Sequence, residues 1–261
     1  MKDAFTYDVS EFSEGGFRGT QVRAIQEVPL TIYLNGKEIV TLLCTGKQPR
    51  FLAVGFLKSE GLISEPEQLS NVEVEEEAER LRAWVETSHD PFENQPMRRS
   101  ITSGCGKGTG FERNVDTIAS TAITAKLRVT PQQILRLSAK LDERSTLYRA
   151  TGGCHNASLA TPHEILIFRE DIGRHNAIDM ICGECFLESI STDDKLLVST
   201  GRVASEILLK TIRLGVPILI SRAAATRFSI DLARQTNMTL VGRARKESMV
   251  IYNHAGRIEG L

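Results

Sequence analysis

The chain has 261 residues, 33 acidic and 32 basic, with a formal net charge of -1, 41% hydrophobic and 25% charged side chains. This suits a folded protein with a substantial core and excludes strong long-range attraction to nucleic acid or to an anionic membrane. No apolar run reaches the length of a membrane span, "MKDAFTYDVSEFSEGG" lacks a signal pattern, and five cysteines in such a chain read as free thiols of the cytoplasm.

Residues 1 to about 25 are polar and glycine-bearing, which suggests a loose arm. "VPLTIYLNGKEIVTLLC" alternates apolar and polar residues about Asn35-Gly36, the pattern of a β-hairpin whose turn takes positive φ. "PRFLAVGFLKSEGLIS" reads as a helix stopped by Gly61. Residues 71–88 suit two exposed strands, with Glu75-Glu76-Glu77 in a solvated turn. From 89 onward "HDPFENQPMRRSITSGCGKGTG" has no apolar period and reads as a long loop, a length usually reserved for function or disorder.

Thr130-Pro131-Gln132-Gln133 opens a helix with a capping threonine, a first-turn proline and a glutamine three residues after the cap. The apolar strands "EILIF", "KLLVS", "VPILIS" and "MTLVG" then alternate with the helices "RHNAIDMICGECFLES", "ASEILLKTIRLG" and "TRFSIDLARQTN". Such alternation predicts a parallel sheet covered on both faces, with ligands beyond the strand C-terminal ends. "TGGCHN", "REDIGRHN", "STGRVASE" and "SRAAAT" fall at such ends. The division expected is a β-rich N-terminal part, 1–100, holding the hairpin, one helix and edge strands. An α/β domain, 101–261, follows and opens with a cysteine loop, 101–114.

The loop "SGCGKGTG" has neither the Gly-Lys-Ser/Thr of a P-loop nor a strand before it, so a phosphate cradle is disfavoured. Glycines on both sides would bare the Cys105 sulfur, and Lys107, Arg98 and Arg99 would favour its thiolate. Spacing alone leaves an incidental cysteine equally open. Cys154 beside His155 fits a nucleophile with its base, a metal pair, or a core cysteine next to a hydrogen-bonded histidine. Cys182 and Cys185 form a Cys-x-x-Cys inside an apolar helix, where packing is the simplest reading and zinc with a histidine the alternative. A zinc deaminase would need His-x-Glu and Pro-Cys-x-x-Cys; His163-Glu164 are adjacent and Ile181 replaces the proline. In "REDIGRHNAIDM", Arg174 and His175 at a helix start suit an anion, while Asp179 could pair internally with either. Arg202 and Glu206 stand in a similar turn.

Taken together, "EVPLTIYLNG", "LAVGFLKSEGLI", "SGCGKG", "TGGCHNA", "EDIGRHNAIDM", "STGRVASEI", "GVPILISRAAAT" and "LVGRARKESMVIY" resemble the FdhD family, the formate dehydrogenase accessory sulfurtransferases. The resemblance implies a cytidine-deaminase-like α/β/α sandwich with a smaller β-rich N-terminal part, a homodimer and no structural metal. It implies that Cys105 receives persulfide sulfur from a cysteine desulfurase. The sulfur then passes to the molybdenum or tungsten bis(guanine dinucleotide pterin) cofactor destined for formate dehydrogenase. The same resemblance places cofactor contacts at Ala244, Arg245, Lys246, Glu247, Ser248 and Met249. A binding chaperone that holds the cofactor without touching sulfur is the competing role. Many relatives carry a second cysteine three residues after the first, where this chain has Gly108, so the loop cannot close a disulfide on itself.

Overall fold

The computed structural model describes residues 3–77, 79–88 and 122–261, together with the backbone of 100–101 and 107–108. The expected loose arm is a β-hairpin instead: β1 (Ala4–Ser13) pairs antiparallel with β2 (Gly16–Ile25). Its apolar residues alternate with polar ones, Phe5-Thr6-Tyr7-Asp8-Val9, and Gly16 turns the chain with φ of 96°.

A four-stranded sheet follows in the order β4-β3-β6-β5, made of β3 (Val28–Leu34), β4 (Lys37–Cys44), β5 (Leu69–Glu77) and β6 (Arg80–Thr87). Asn35 and Gly36, with φ of 49° and 76°, form the predicted turn between β3 and β4. The two strands of 71–88 are present, but only β5 is mostly exposed. Leu81, Ala83 and Val85 of β6 are buried because β6 lies inside the sheet, parallel to β3. Glu75, Glu76 and Glu77 belong to β5 rather than to a turn. α1 (Pro49–Glu60) covers this sheet and stops at Gly61, in the left-handed region as expected. Within the stretch read as loop, Ser100–Ile101 (β7) and Lys107–Gly108 (β8) pair antiparallel.

The larger sheet runs β10-β9-β11-β12-β13-β14, from β9 (His155–Ala160), β10 (Ile165–Asp171), β11 (Leu196–Ser199), β12 (Ile218–Ser221), β13 (Thr239–Arg245) and β14 (Ser248–Asn253). It is mixed, not parallel. β11, β12 and β13 pair in parallel, whereas β9 runs against both β10 and β11, and β14 runs against β13. The four-residue link 161–164 between β9 and β10 is too short for a parallel crossover, which dictates the reversal.

α2 (Pro131–Arg144) lies on one face, where Ile134, Leu137 and Leu141 join Leu196, Val198, Ile218 and Ile220 in one core. Thr130 caps it, accepting from the Gln133 amide at 3.1 Å while Gln133 accepts from the Thr130 amide at 2.7 Å. A short α3 (Thr146–Thr151) leads into β9. α4 (Arg174–Leu187), α5 (Ser205–Leu214) and α6 (Arg227–Gln235) cover the other face, packing with Leu159, Leu197, Leu219 and Leu240. α4 is apolar nearly all round because both of its sides are occupied. Ile178, Ile181 and Cys182 face the larger sheet, and Met180 and Phe186 join the core around α1. Among the described residues no helix is long and apolar enough to cross a membrane.

Candidate functional site at the strand ends

β9 starts where β11 and β12 end, so the "TGGCHN", "REDIGRHN", "STGRVASE" and "SRAAAT" segments meet at one edge of the sheet. The Asn156 amide donates to Thr200 Oγ1 at 2.9 Å, the Thr200 amide donates back to the Asn156 carbonyl at 3.0 Å, and Thr200 Oγ1 lies 3.5 Å from His155 Nδ1. Ser221 Oγ donates to the Gly201 carbonyl at 2.7 Å, tying the ends of β11 and β12 together. Gly201 admits the first turn of α4: a Cβ there would stand 2.8 Å from the Cβ of Arg174.

This edge holds polar atoms that the fold leaves unused. Arg174 Nε and Nη2, His175 Nε2 and Glu206 Oε2 are buried without a hydrogen-bond partner among the described residues. A buried N–H left unmade is unfavourable, and such groups recur where a ligand completes them. Burial, then the charges of Lys210 and Arg174 and the neighbouring His155, push His175 down to about 3. Burial and then the charge of Arg174 lower His155. Both imidazoles are therefore neutral at pH 7, and Arg174 is a cation beside them. A guanidinium, an imidazole nitrogen and a helix N-terminus can together meet the oxygens of an anion such as a phosphate.

The start of α4 is held by a bond the sequence did not announce. Asp171 accepts from the Thr45 amide at 2.8 Å, Thr45 Oγ1 at 3.0 Å, the Gly173 amide at 2.9 Å and Asn176 Nδ2 at 2.7 Å. Asn176 also donates to the Leu43 carbonyl at 2.8 Å, so the end of β4 is locked to the α4 N-terminus. Burial still pushes the Asp171 carboxyl upward against these bonds. Asp179 pairs with neither Arg174 nor His175. It accepts from Lys210 Nζ at 2.7 and 2.8 Å and from Ser59 Oγ at 2.7 Å, because two turns into α4 it faces α5 and α1. A lysine in the apolar stretch "ASEILLKTIRLG" was the available signal for such a partner.

The segment expected to touch the cofactor is split by its surroundings. Ala244 is buried, its carbonyl accepting from Ser138 Oγ at 2.5 Å, and Met249 packs against the α2 core. Arg245, Lys246, Glu247 and Ser248 are exposed, with Lys246 at φ of 53° in the β13–β14 turn. Arg245 Nε donates to the Arg222 carbonyl at 2.8 Å, and the Arg243 amide donates to Ala223 at 2.9 Å. The turn is thus joined to the "SRAAAT" loop at the same sheet edge. Arg202 is exposed.

The cysteines sort by burial. Cys44, Cys154, Cys182 and Cys185 are free and buried. Desolvation is the main cause that raises Cys182 to about 11 and the other three to about 12, so all four remain protonated thiols at pH 7. Cys182 and Cys185 are packing residues of the core between α4 and the sheet. Among the described residues no three His, Cys, Asp or Glu side chains gather as a metal site. Cys105 lies outside the described residues.

The architecture defines an α/β protein built on a six-stranded and a four-stranded sheet, with a polar, cation-bearing strand-end cluster. The fold is similar to that of a crystal structure described as a putative formate dehydrogenase accessory protein from Desulfotalea psychrophila. That chain matches with a TM-score of 0.81 at 23% identity, over 98% of this chain and 100% of that one. The family model described as FdhD/NarQ family matches residues 25–259, and the chain belongs to that family. It is 36% identical over 253 residues to "Sulfur carrier protein FdhD" of Bacillus subtilis (strain 168), covering 96% of each chain. It is 38% identical over 252 residues to the protein of the same name from Geobacillus kaustophilus (strain HTA426), covering 96% of this chain and 95% of that one.

Proposed function

We propose that the chain is a sulfur carrier acting through Cys105 in the service of formate dehydrogenase. Family membership and the names of the relatives support the role, and one observation points to the residue. Of five cysteines, four are buried thiols held protonated, which leaves Cys105 as the remaining candidate nucleophile. In the loading step the Cys105 thiolate attacks the outer sulfur of a cysteine desulfurase persulfide. A new S–S bond forms on Cys105, the donor's S–S bond breaks, and the donor cysteine leaves as thiolate. In delivery the Cys105 S–S bond breaks and the Cys105 thiolate returns. The outer sulfur, leaving at the sulfane level, bonds to the molybdenum or tungsten of the guanine-dinucleotide cofactor, whose reduced metal as substrate would supply the two electrons that make it a sulfide ligand.

The cofactor is cargo here, and its phosphates suit the strand-end edge. Arg174 offers unmade N–H groups and His175 an unpartnered ring nitrogen, and Arg245 and Lys246 add exposed cations on the adjoining turn. The sheet order, with helices on both faces, also supports a cytidine-deaminase-like sandwich, here without that chemistry's zinc ligands. Intact mass after incubation with a desulfurase and cysteine should show one added sulfur, mapped to the peptide holding Cys105 and lost in Cys105→Ala. If Cys105→Ala matures formate dehydrogenase normally, the protein is a cofactor-binding chaperone instead.

A further inference from the structure

The four-stranded sheet gives only one face to its core. Leu30, Ile32 and Leu34 of β3, with Leu81, Ala83 and Val85 of β6, join the core beneath α1. The alternate residues form the opposite face, and strand register sets them in rows. One row reads Glu38, Tyr33, Trp84 and Glu73 across β4, β3, β6 and β5. Another reads Thr41, Thr31, Arg82 and Glu75. Tyr33 and Trp84 stack at the centre, with ring centroids 4.0 Å apart and planes 15° from parallel. Both are half-buried, neither belongs to a core cluster, and Trp84 Nε1 has no acceptor among the described residues. Glutamates surround the pair. Glu38, Glu73, Glu75, Glu77 and Glu86 are exposed on this face, against Arg82, which Glu77 already holds at 2.8 Å.

We propose that this face docks a basic segment of a partner protein, one of whose arginines extends the Tyr33–Trp84 stack and pairs with Glu73. A guanidinium is planar, favours the face of tryptophan over other aromatic rings, and grips a carboxylate at two points. Trp84 and Glu73 are cross-strand neighbours, so one arginine reaches both. Among the described residues no cation lies over either ring. The charge of the face identifies the partner. Five carboxylates against one guanidinium repel nucleic acid and anionic membrane and attract a cationic surface. The extent of the face favours a polypeptide over a small cation, because the glutamates reach from β4 to β5, with neighbouring strands about 4.8 Å apart. Glutamates on the edge strand β5 would by themselves only discourage edge pairing, and that purpose needs no aromatic stack at the centre of the sheet. The inference goes beyond the sulfur-carrier reading and does not rest on it.

Trp84 is the chain's one tryptophan, so its emission reports on this face directly. Titrating the full chain at low salt with a Gly-Arg repeat peptide should change that emission saturably. The same peptide with citrulline for arginine, which keeps the shape and loses the charge, should not. Glu73→Gln/Glu75→Gln should weaken binding by about tenfold or more, and Trp84→Leu, read by calorimetry, by about tenfold. The glutamine variant changes only exposed side chains, which keeps the test sound if Trp84→Leu misfolds. Emission unchanged up to about 1 mM peptide, where even a weak site fills, overturns the proposal. Undiminished affinity in the glutamine variant does so too, as does equal binding of the citrulline peptide. If acrylamide cannot quench Trp84 in the full chain, or emission shifts with protein concentration alone, this chain or a second copy covers the face and the proposal fails.

Discussion

Gly183 of α4 and Gly55 of α1 meet where the two helices cross. A Cβ on Gly183 would stand 1.9 Å from the Phe51 carbonyl oxygen, and one on Gly55 would stand 1.7 Å from that of Asp179. The crossing brings the two helices to backbone contact, and through α4 it joins the smaller sheet's core to the larger one. It also explains the glycine inside Cys182-Gly183-Glu184-Cys185: the motif spaces a helix crossing, and its thiols fill the core on either side.

Gly183→Ala should therefore destabilise the protein by at least about 3 kcal/mol, since backbone rather than a flexible side chain must move aside. Urea midpoints measure this. Cys185→Ala, which only removes a sulfur from the core, should cost roughly 1 kcal/mol and leave sulfur loading on Cys105 unchanged. Equal midpoints for Gly183→Ala and wild type would refute the crossing.

Lys210 and Asp179 form a buried pair, 8% and 1% exposed at their side chains. Lys210→Met should destabilise by about 3–5 kcal/mol because Asp179 keeps only Ser59 and is otherwise stranded. Lys210→Met with Asp179→Leu should recover most of that loss. A double-mutant cycle in urea reads the coupling, and additive losses would show that the pair does not interact.

Stability should fall with acid through His175. Its folded pKa is near 3, below its ordinary 6.5, so the unfolded chain binds the proton first. The contribution is whole above pH 6.5 and erodes as pH falls from 6.5 towards 3, by at most about 1.4 kcal/mol per pH unit. Denaturation midpoints between pH 7 and 5 should show the decline, and His175→Gln should flatten it. An unchanged slope in that variant would place the titration elsewhere.

Arg174→Gln should weaken binding of a guanosine diphosphate probe by tenfold or more while leaving the urea midpoint nearly unchanged. The reason is that Arg174 Nε and Nη2 make no hydrogen bond in the fold, so removing them takes nothing from it. Calorimetry reads the affinity. A loss of stability without a loss of binding would reassign Arg174 to structure.

Elements whose cause is local were legible from the chain alone. The Asn35-Gly36 turn, the Gly61 stop and the Thr130–Gln133 cap each depend on a few adjacent residues, and all three stand as read. The arm was misread because its alternation is real but its faces are exposed, and exposure resembles disorder in composition. The sheet was misread as parallel because strands buried on both faces look alike whichever way they run.

By itself the sequence determined the turns, the caps, the family motifs and the presence of five thiols. Only the tertiary structure decided that Cys44, Cys154, Cys182 and Cys185 are buried and kept protonated. It also decided that Asp171 is held by Thr45 across 126 residues and Asp179 by Lys210 across 31. Propensity acts between neighbours, whereas desolvation and ion pairing depend on what folding brings alongside, and no local pattern encodes that.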